Sequence, residues 1–132
     1  MDNAGTDIAT LLQTNLFGTI GTDLFINSAP DPPDNMILVN DTSGLPPIDA
    51  MGDGGSSFEI PGIQIQVRND SNSTAITTMW NIFYLLHKYN GTINSANYLL
   101  ILASQNPFLL YKDENERFVY ACNFLAKRRP VQ

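Results

Sequence analysis

One cysteine, one histidine and one tryptophan are all that this 132-residue chain has of those three residue types. A lone Cys122 excludes a disulfide within the chain and leaves a cysteine-built metal site without its ligands. His87 and Cys122 stand 35 positions apart. The first reads as part of a helix and the second as part of a strand, so no local motif joins them as base and nucleophile. Also missing are the Gly-x-Ser-x-Gly elbow, the His-Glu-x-x-His pair and a phosphate loop with its lysine. No apolar run reaches 18 residues, so no segment reads as membrane-spanning. The start, Met1-Asp2-Asn3-Ala4, lacks the basic and apolar regions of a signal peptide, which points to folding in a cytoplasm. The sequons at Asn40, Asn69, Asn72 and Asn90 then carry no information.

Charge is scarce as well, at 15% of residues, and it is unevenly placed. Residues 1–70 hold ten acidic side chains and a single basic one, Arg68; residues 71–132 hold three acidic and six basic ones. The halves carry about −9 and +3. Such a chain is able to steer head-to-tail contacts between copies of itself. The plain alternative is that loops collect aspartates because Asp favours turns.

What is present is scaffold. Residues 2–17 read as a helix capped by Asp2 or Asn3, with Ile8, Leu11, Leu12 and Leu16 as its apolar stripe and Gly18 and Gly21 as its stop. Residues 23–27 read as a short strand or an extended segment. Pro30, Pro32 and Pro33 then forbid a regular ladder. Met36–Val39 is an apolar strand. Residues 41–57 form a long loop rich in glycine, proline and aspartate, of the kind that is usually functional. Ile63, Ile65 and Val67 alternate with Gln64, Gln66 and Arg68 in the cleanest strand. A helix of about 73–89 places Ile76, Met79, Trp80, Phe83 and Leu86 on one face, ended by Asn90-Gly91. Trp80 is expected beneath the sheet, where Trp80→Ala would cost roughly 3–5 kcal/mol. Strands over 98–103, 108–112 and 117–127 follow, the last two joined by a hairpin loop at Asp113–Glu116. Phe118, Tyr120, Cys122 and Phe124 share the core face of the third, and the basic tail 128–132 frays.

This order predicts a single α+β domain over 1–132. Two amphipathic helices pack on one face of a mixed, mostly antiparallel sheet, with the long loop at about 41–57. Chemistry-bearing candidates are weak. Asp49 and Asp53 lack the alternating ligands and closing Glu of a calcium loop. Glu114 and Glu116 sit at a hairpin tip, where carboxylates are ordinarily solvated. Lys127, Arg128 and Arg129 have no interleaved aromatics for nucleic acid. No catalytic, cofactor or metal residue is assigned.

The ordered series as a whole resembles the tail terminator, or minor capsid, family of tailed bacteriophages. The matching features begin with the first helix and Pro30-Asp31-Pro32-Pro33-Asp34-Asn35. The strand to Asn40-Asp41 and the segment Gly44-Leu45-Pro46-Pro47 come next. Then follow Pro61-Gly62-Ile63-Gln64-Ile65-Gln66-Val67-Arg68 with its helix, Gln105-Asn106-Pro107-Phe108 and Asp113-Glu114-Asn115-Glu116-Arg117. The resemblance spans about residues 5–127. It implies a virion protein, assembled in the host bacterial cytoplasm, that forms a ring, usually a hexamer. Such a ring caps the tail tube and docks to a head-completion or stopper protein, while DNA passes through without specific binding. No membrane and no cofactor are implied. Candidate ring-interface or lumen residues are Asp31, Asp34, Asp41, Asp49, Asp53, Glu59, Arg68, Lys127, Arg128 and Arg129. Like charge in a lumen would keep phosphates from sticking. Competing readings are another head–tail connector, a small-ligand or ion-binding domain with 41–57 as its lid, and a hydrolase of unfamiliar type.

Overall fold

The computed structural model describes residues 3–49 and 57–129. In chain order the elements are α1 (Ala4–Thr14), β1 (Leu24–Ile26), β2 (Met36–Asp49), β3 (Ser57–Asn69), α2 (Asn72–Leu86), β4 (Tyr89–Ile93), β5 (Ala96–Ala103), β6 (Phe108–Lys112) and β7 (Phe118–Arg129). The strands form one sheet in the order β1-β2-β3-β7-β5-β4, with β6 paired to β7 off that path. β1 and β2 are parallel and the other named pairs antiparallel. This is the expected α+β architecture.

β7 is the spine of the sheet. One edge pairs with β3 from Phe118 to Arg128. The other edge serves β6 over 118–121 and β5 over 124–129. The alternation read in β3 holds: Ile63, Ile65 and Val67 are buried and lie across from Phe124, Cys122 and Tyr120. Both helices add side chains to the same hydrophobic cluster, α1 through Ala4, Ile8, Ala9 and Leu12 and α2 through Ala75, Met79, Ile82 and Leu86. The isoleucine, leucine and methionine side chains among these each stabilise the fold by roughly 1.5–3 kcal/mol when fully buried. Cys122 is in the same cluster, and burial pushes its thiol up to about 11.

Several boundaries differ from the sequence reading, each for a local reason. The long loop is narrower than composition implies. Residues 41–49 continue β2, paired with 57–63 through two register shifts that absorb the glycine and prolines. A side chain at Gly44 would collide with the Ile60 carbonyl, so glycine permits the close strand approach there. The rest of that stretch lies outside the described residues. α1 stops at Thr14 before reaching a glycine. Leu16 takes the left-handed conformation at φ 66°, the Phe17 N–H donates to the Leu12 carbonyl and the Leu16 N–H to that of Gln13. This is a Schellman stop with leucine where glycine is usual, and it leaves Leu16 exposed, off the apolar stripe.

α2 is rotated relative to the expected face. Its buried positions are Ala75, Met79, Ile82 and Leu86, and Trp80 is only half-buried. Trp80 packs against Phe83 at the margin of the core and against exposed Tyr84, so Trp80→Ala removes less burial than a core tryptophan would. Ser71 caps the helix through Oγ, which accepts from the Thr74 N–H. Asn90-Gly91 does not end it. Lys88 turns left-handed first, and Asn90 and Gly91 lie in β4, a strand the sequence reading missed. β4 and β5 meet across Asn94-Ser95, both at positive φ, which is the primed two-residue hairpin turn. Finally, Lys127, Arg128 and Arg129 belong to β7 instead of a frayed tail.

Candidate assembly surfaces

The proline-aspartate segment at 30–34 cannot build a ladder, so its carbonyls need other donors. Two arginines supply them. Arg68, at the end of β3, donates Nη2 to the carbonyls of Pro30 (3.3 Å), Asp31 (2.5 Å) and Pro33 (2.6 Å). Arg117, just before β7, donates Nη1 to the Asp31 carbonyl at 2.8 Å and Nη2 to the Asp31 carboxylate at 2.7 Å. It also reaches Asp34 at 3.3 Å and Asp113 at 2.7 Å. A guanidinium suits this work because its donors fork in a plane. Hydrogen bonding to Asp31 raises the Arg117 pKa further above its usual value. Burial, together with the neighbouring Arg117 charge, lowers that of Arg68. At Asp113, burial works to raise the carboxyl, but hydrogen bonds from the Arg117 N–H, its guanidinium and the Asn115 N–H outweigh it and hold the group below 3.8.

Arg128 organises the opposite end of β7. Its Nη1 meets Asp7 Oδ2 and Tyr98 Oη, each at 3.1 Å, and its Nε meets Glu59 at 2.9 Å. The Tyr98 hydroxyl donates to Asp7 at 2.6 Å, and the Asn94 amide donates to the other Asp7 oxygen at 3.0 Å. Burial, reinforced by the bond to Asp7, raises the Tyr98 pKa above its usual value. This network ties α1 to the sheet. Asp41 does so at another point: its carboxylate accepts from the Gly5 N–H at 2.7 Å and from the Asn27 amide at 2.9 Å. The cap of α1 therefore comes from β2, since Asn3 at the cap position makes no side-chain cap bond. Gly5 lets the carboxylate in, because a Cβ there would lie 2.9 Å from its oxygens.

The ten candidate residues thus divide. Asp41, Glu59 and Arg128 are engaged within the subunit, and Arg68 is turned onto backbone carbonyls. Asp31 and Asp34 are held by Arg117 yet keep their side chains 73% and 67% exposed. Lys127 and Arg129 stand on the sheet face away from the core, with Lys127 Nζ 4.7 Å and Arg129 Cζ 5.5 Å from the Phe58 ring centre. Asp49 ends β2, and Asp53 lies outside the described residues. Sequence reasoning missed Asp7, Tyr98 and Arg117, which hold the two polar hubs, and the exposed apolar side chains of β6 and of the outer sheet face. Among the described residues no His, Cys, Asp and Glu cluster is arranged to hold a metal ion, and no helix is long and apolar enough to cross a membrane.

Residues 11–129 match the family model of the bacteriophage tail terminator protein. The chain belongs to the bacteriophage tail terminator family. It is a structural protein of the phage tail and assembles with other proteins of the virion. A solved chain from the virion of a native gene transfer agent particle has the same fold, with a TM-score of 0.65 and 12% identity over 96% of this chain and 95% of that one. No curated protein matches. A terminator works through its surfaces, so what matters in this member is which side chains remain outward once the two arginine hubs are closed.

Proposed function

We propose that this protein caps the phage tail tube as a ring, usually of six copies, and joins it to a head-completion or stopper protein. DNA passes through the ring's channel without specific binding. Membership of the terminator family over residues 11–129 carries this reading. The charge distribution supports it. A ring built head to tail needs two unlike surfaces on each copy. Ion pairs such as Arg117–Asp31 and Arg128–Asp7 use up part of the charge difference between the sequence halves. What stays outward is Lys127 and Arg129 at one end of β7 and Asp31 and Asp34 at the other. An acidic lumen is the second part of the proposal. Of the six candidate carboxylates, Asp41 and Glu59 are engaged inside the chain. Asp31, Asp34, Asp49 and Asp53 remain as lumen candidates.

Light scattering of the protein with and without purified tail tubes, followed by imaging, tests the reading. Rings of about six copies at tube ends are expected. A chain that ignores tubes would sink it and move the reading to another head–tail connector. An assembled ring with all four remaining aspartates on its outer rim would remove the lumen proposal alone.

A further inference from the structure

β3 and β7 run side by side from the Glu59–Arg128 pair at one end to the Asn69–Phe118 pair at the other. At roughly 3.3 Å per residue these ends lie about 30 Å apart along the strands. Strand alternation sends Leu125 and Lys127 to the face opposite buried Phe124 and Ala126. Leu125 pairs with Leu102, Lys127 with Leu100, and Leu45 with Ile60. These side chains line a depression of about 350 Å³ on the helix-free face. Leu45 is 54% and Leu102 41% exposed there. Lys127 borders it, and Arg129 follows two residues on along the same face; both reach the Phe58 ring and neither forms an ion pair among the described residues.

The other end has the complementary character. β6 leaves Leu109, Leu110 and Tyr111 exposed. Beside them Asp31, Tyr111, Asp113 and Glu114 share a polar depression of about 500 Å³ with Arg68, Lys112 and Arg117. Of these cations Arg117 pairs with Asp31 and Asp113, Lys112 with Glu116, and Arg68 donates to backbone carbonyls. Glu114 and the nearby Asp70 are exposed and make no ion pair among the described residues. Each end therefore joins uncovered apolar surface to unpaired charge, and the two charges are opposite. Apolar patches of this kind favour burial. Pairing either end with its own copy would bring like charges together, whereas pairing unlike ends brings opposite charges together.

We propose that the Tyr111–Glu114 end of one copy seats on the Leu45–Leu102 depression of the next, with Lys127 and Arg129 facing its carboxylates. This rests on the ring reading above and names the surfaces that make the ring. Because the two patches differ, the contact is heterologous and repeats around a closed ring.

Sedimentation of the full chain over a concentration series, alone and with purified tail tubes, tests it with two variants. Lys127→Glu/Arg129→Glu spoils the basic end, and Tyr111→Ser/Glu114→Gln spoils the acidic end. Each variant alone should self-associate at least about tenfold more weakly than the natural chain. An equimolar mixture retains one good contact per pair, so it should form dimers and stop there. If the charge reversal unfolds the chain, as circular dichroism would show, Leu102→Ser replaces it with the same expectations. Variants that assemble like the natural chain, or a mixture that stays monomeric, would overturn the surface assignment and leave the ring standing. A natural chain that is monomeric alone and on tubes would overturn the ring reading and this proposal with it.

Discussion

Arg117 and Arg128 sit at opposite ends of one strand, each almost wholly covered, and yet they do different work. Two of the three carboxylates around Arg117 look outward: Asp31 and Asp34 keep most of their side-chain surface in water, while Asp113 is 17% exposed. Of the two carboxylates on Arg128, Glu59 is 35% exposed but Asp7 is 1% exposed. Burial of the cation is the same in both places, and burial of the anion is not. Water can therefore take over the partners of Arg117 if that arginine is lost. It cannot reach Asp7. A buried carboxylate without its cation must either bear the cost of desolvation or take up a proton. The first hub is a fastening for a surface segment, and the second is part of the core.

The largest effect is accordingly expected at the second hub. Arg128→Met should cost roughly 3–5 kcal/mol, the range for breaking a buried pair from one side. Denaturant unfolding measures this. Adding Asp7→Leu should restore much of the loss, because an apolar pair replaces two charges. An equal loss at Arg117→Met would break the comparison between the hubs. That substitution is expected to lower the melting temperature less, while exposing residues 30–34 to protease. Its effect should also shrink at high salt, where interactions with exposed carboxylates are screened. Asp41 sharpens the contrast because it answers to neither arginine. As a remote cap on α1, Asp41→Ala should cost about 1 kcal/mol, the usual range for a lost helix cap.

The two hubs also show what a sequence reveals and what it conceals. β3 was plain because its faces differ strongly: isoleucine and valine inward, glutamine outward. Both helices and the mixed sheet followed from such patterns. Arg128 was hidden by its setting in a run of three basic residues before a proline, which reads as a tail. Yet it is in phase with Cys122, Phe124 and Ala126, and extending that alternation by two residues would have placed it inward. Asp7 stands in the first turn of α1, where an acidic residue is ordinarily explained by the helix dipole, yet it lies on the buried side beside Ile8. Its partners are 91 and 121 positions away, and no local pattern reports a contact of that range. Trp80 failed differently. Helical spacing puts it on one stripe with Ile76, Met79, Phe83 and Leu86, but the stripe that is buried runs through Ala75, Met79, Ile82 and Leu86. Of the candidate assembly residues, the sequence pointed to Lys127 and Arg129 without the apolar floor between them, since Leu45, Leu102 and Leu125 meet only across strands.

The smallest effect we argue is the pH response of the first hub, and it separates the hubs most cleanly. The Asp113 carboxyl is held below its ordinary 3.8 by the Arg117 N–H and guanidinium and the Asn115 N–H. A depressed folded pKa stabilises the native state when the group is ionised. The contribution is therefore complete at neutral pH, where both folded and unfolded chains carry the charge. It begins to fade as the pH falls past 3.8, where the unfolded chain takes up its proton first, and it is gone below the lower folded value. Asp113→Asn should thus reduce stability at pH 7, and the difference from the natural chain should close as the pH drops through that window. Melting curves of both proteins from pH 7 down to pH 2 read this directly. A difference that stays constant to the acid limit would show that Asp113 acts through the shape of its turn, where asparagine is an imperfect substitute, and that charge at the Arg117 hub contributes little.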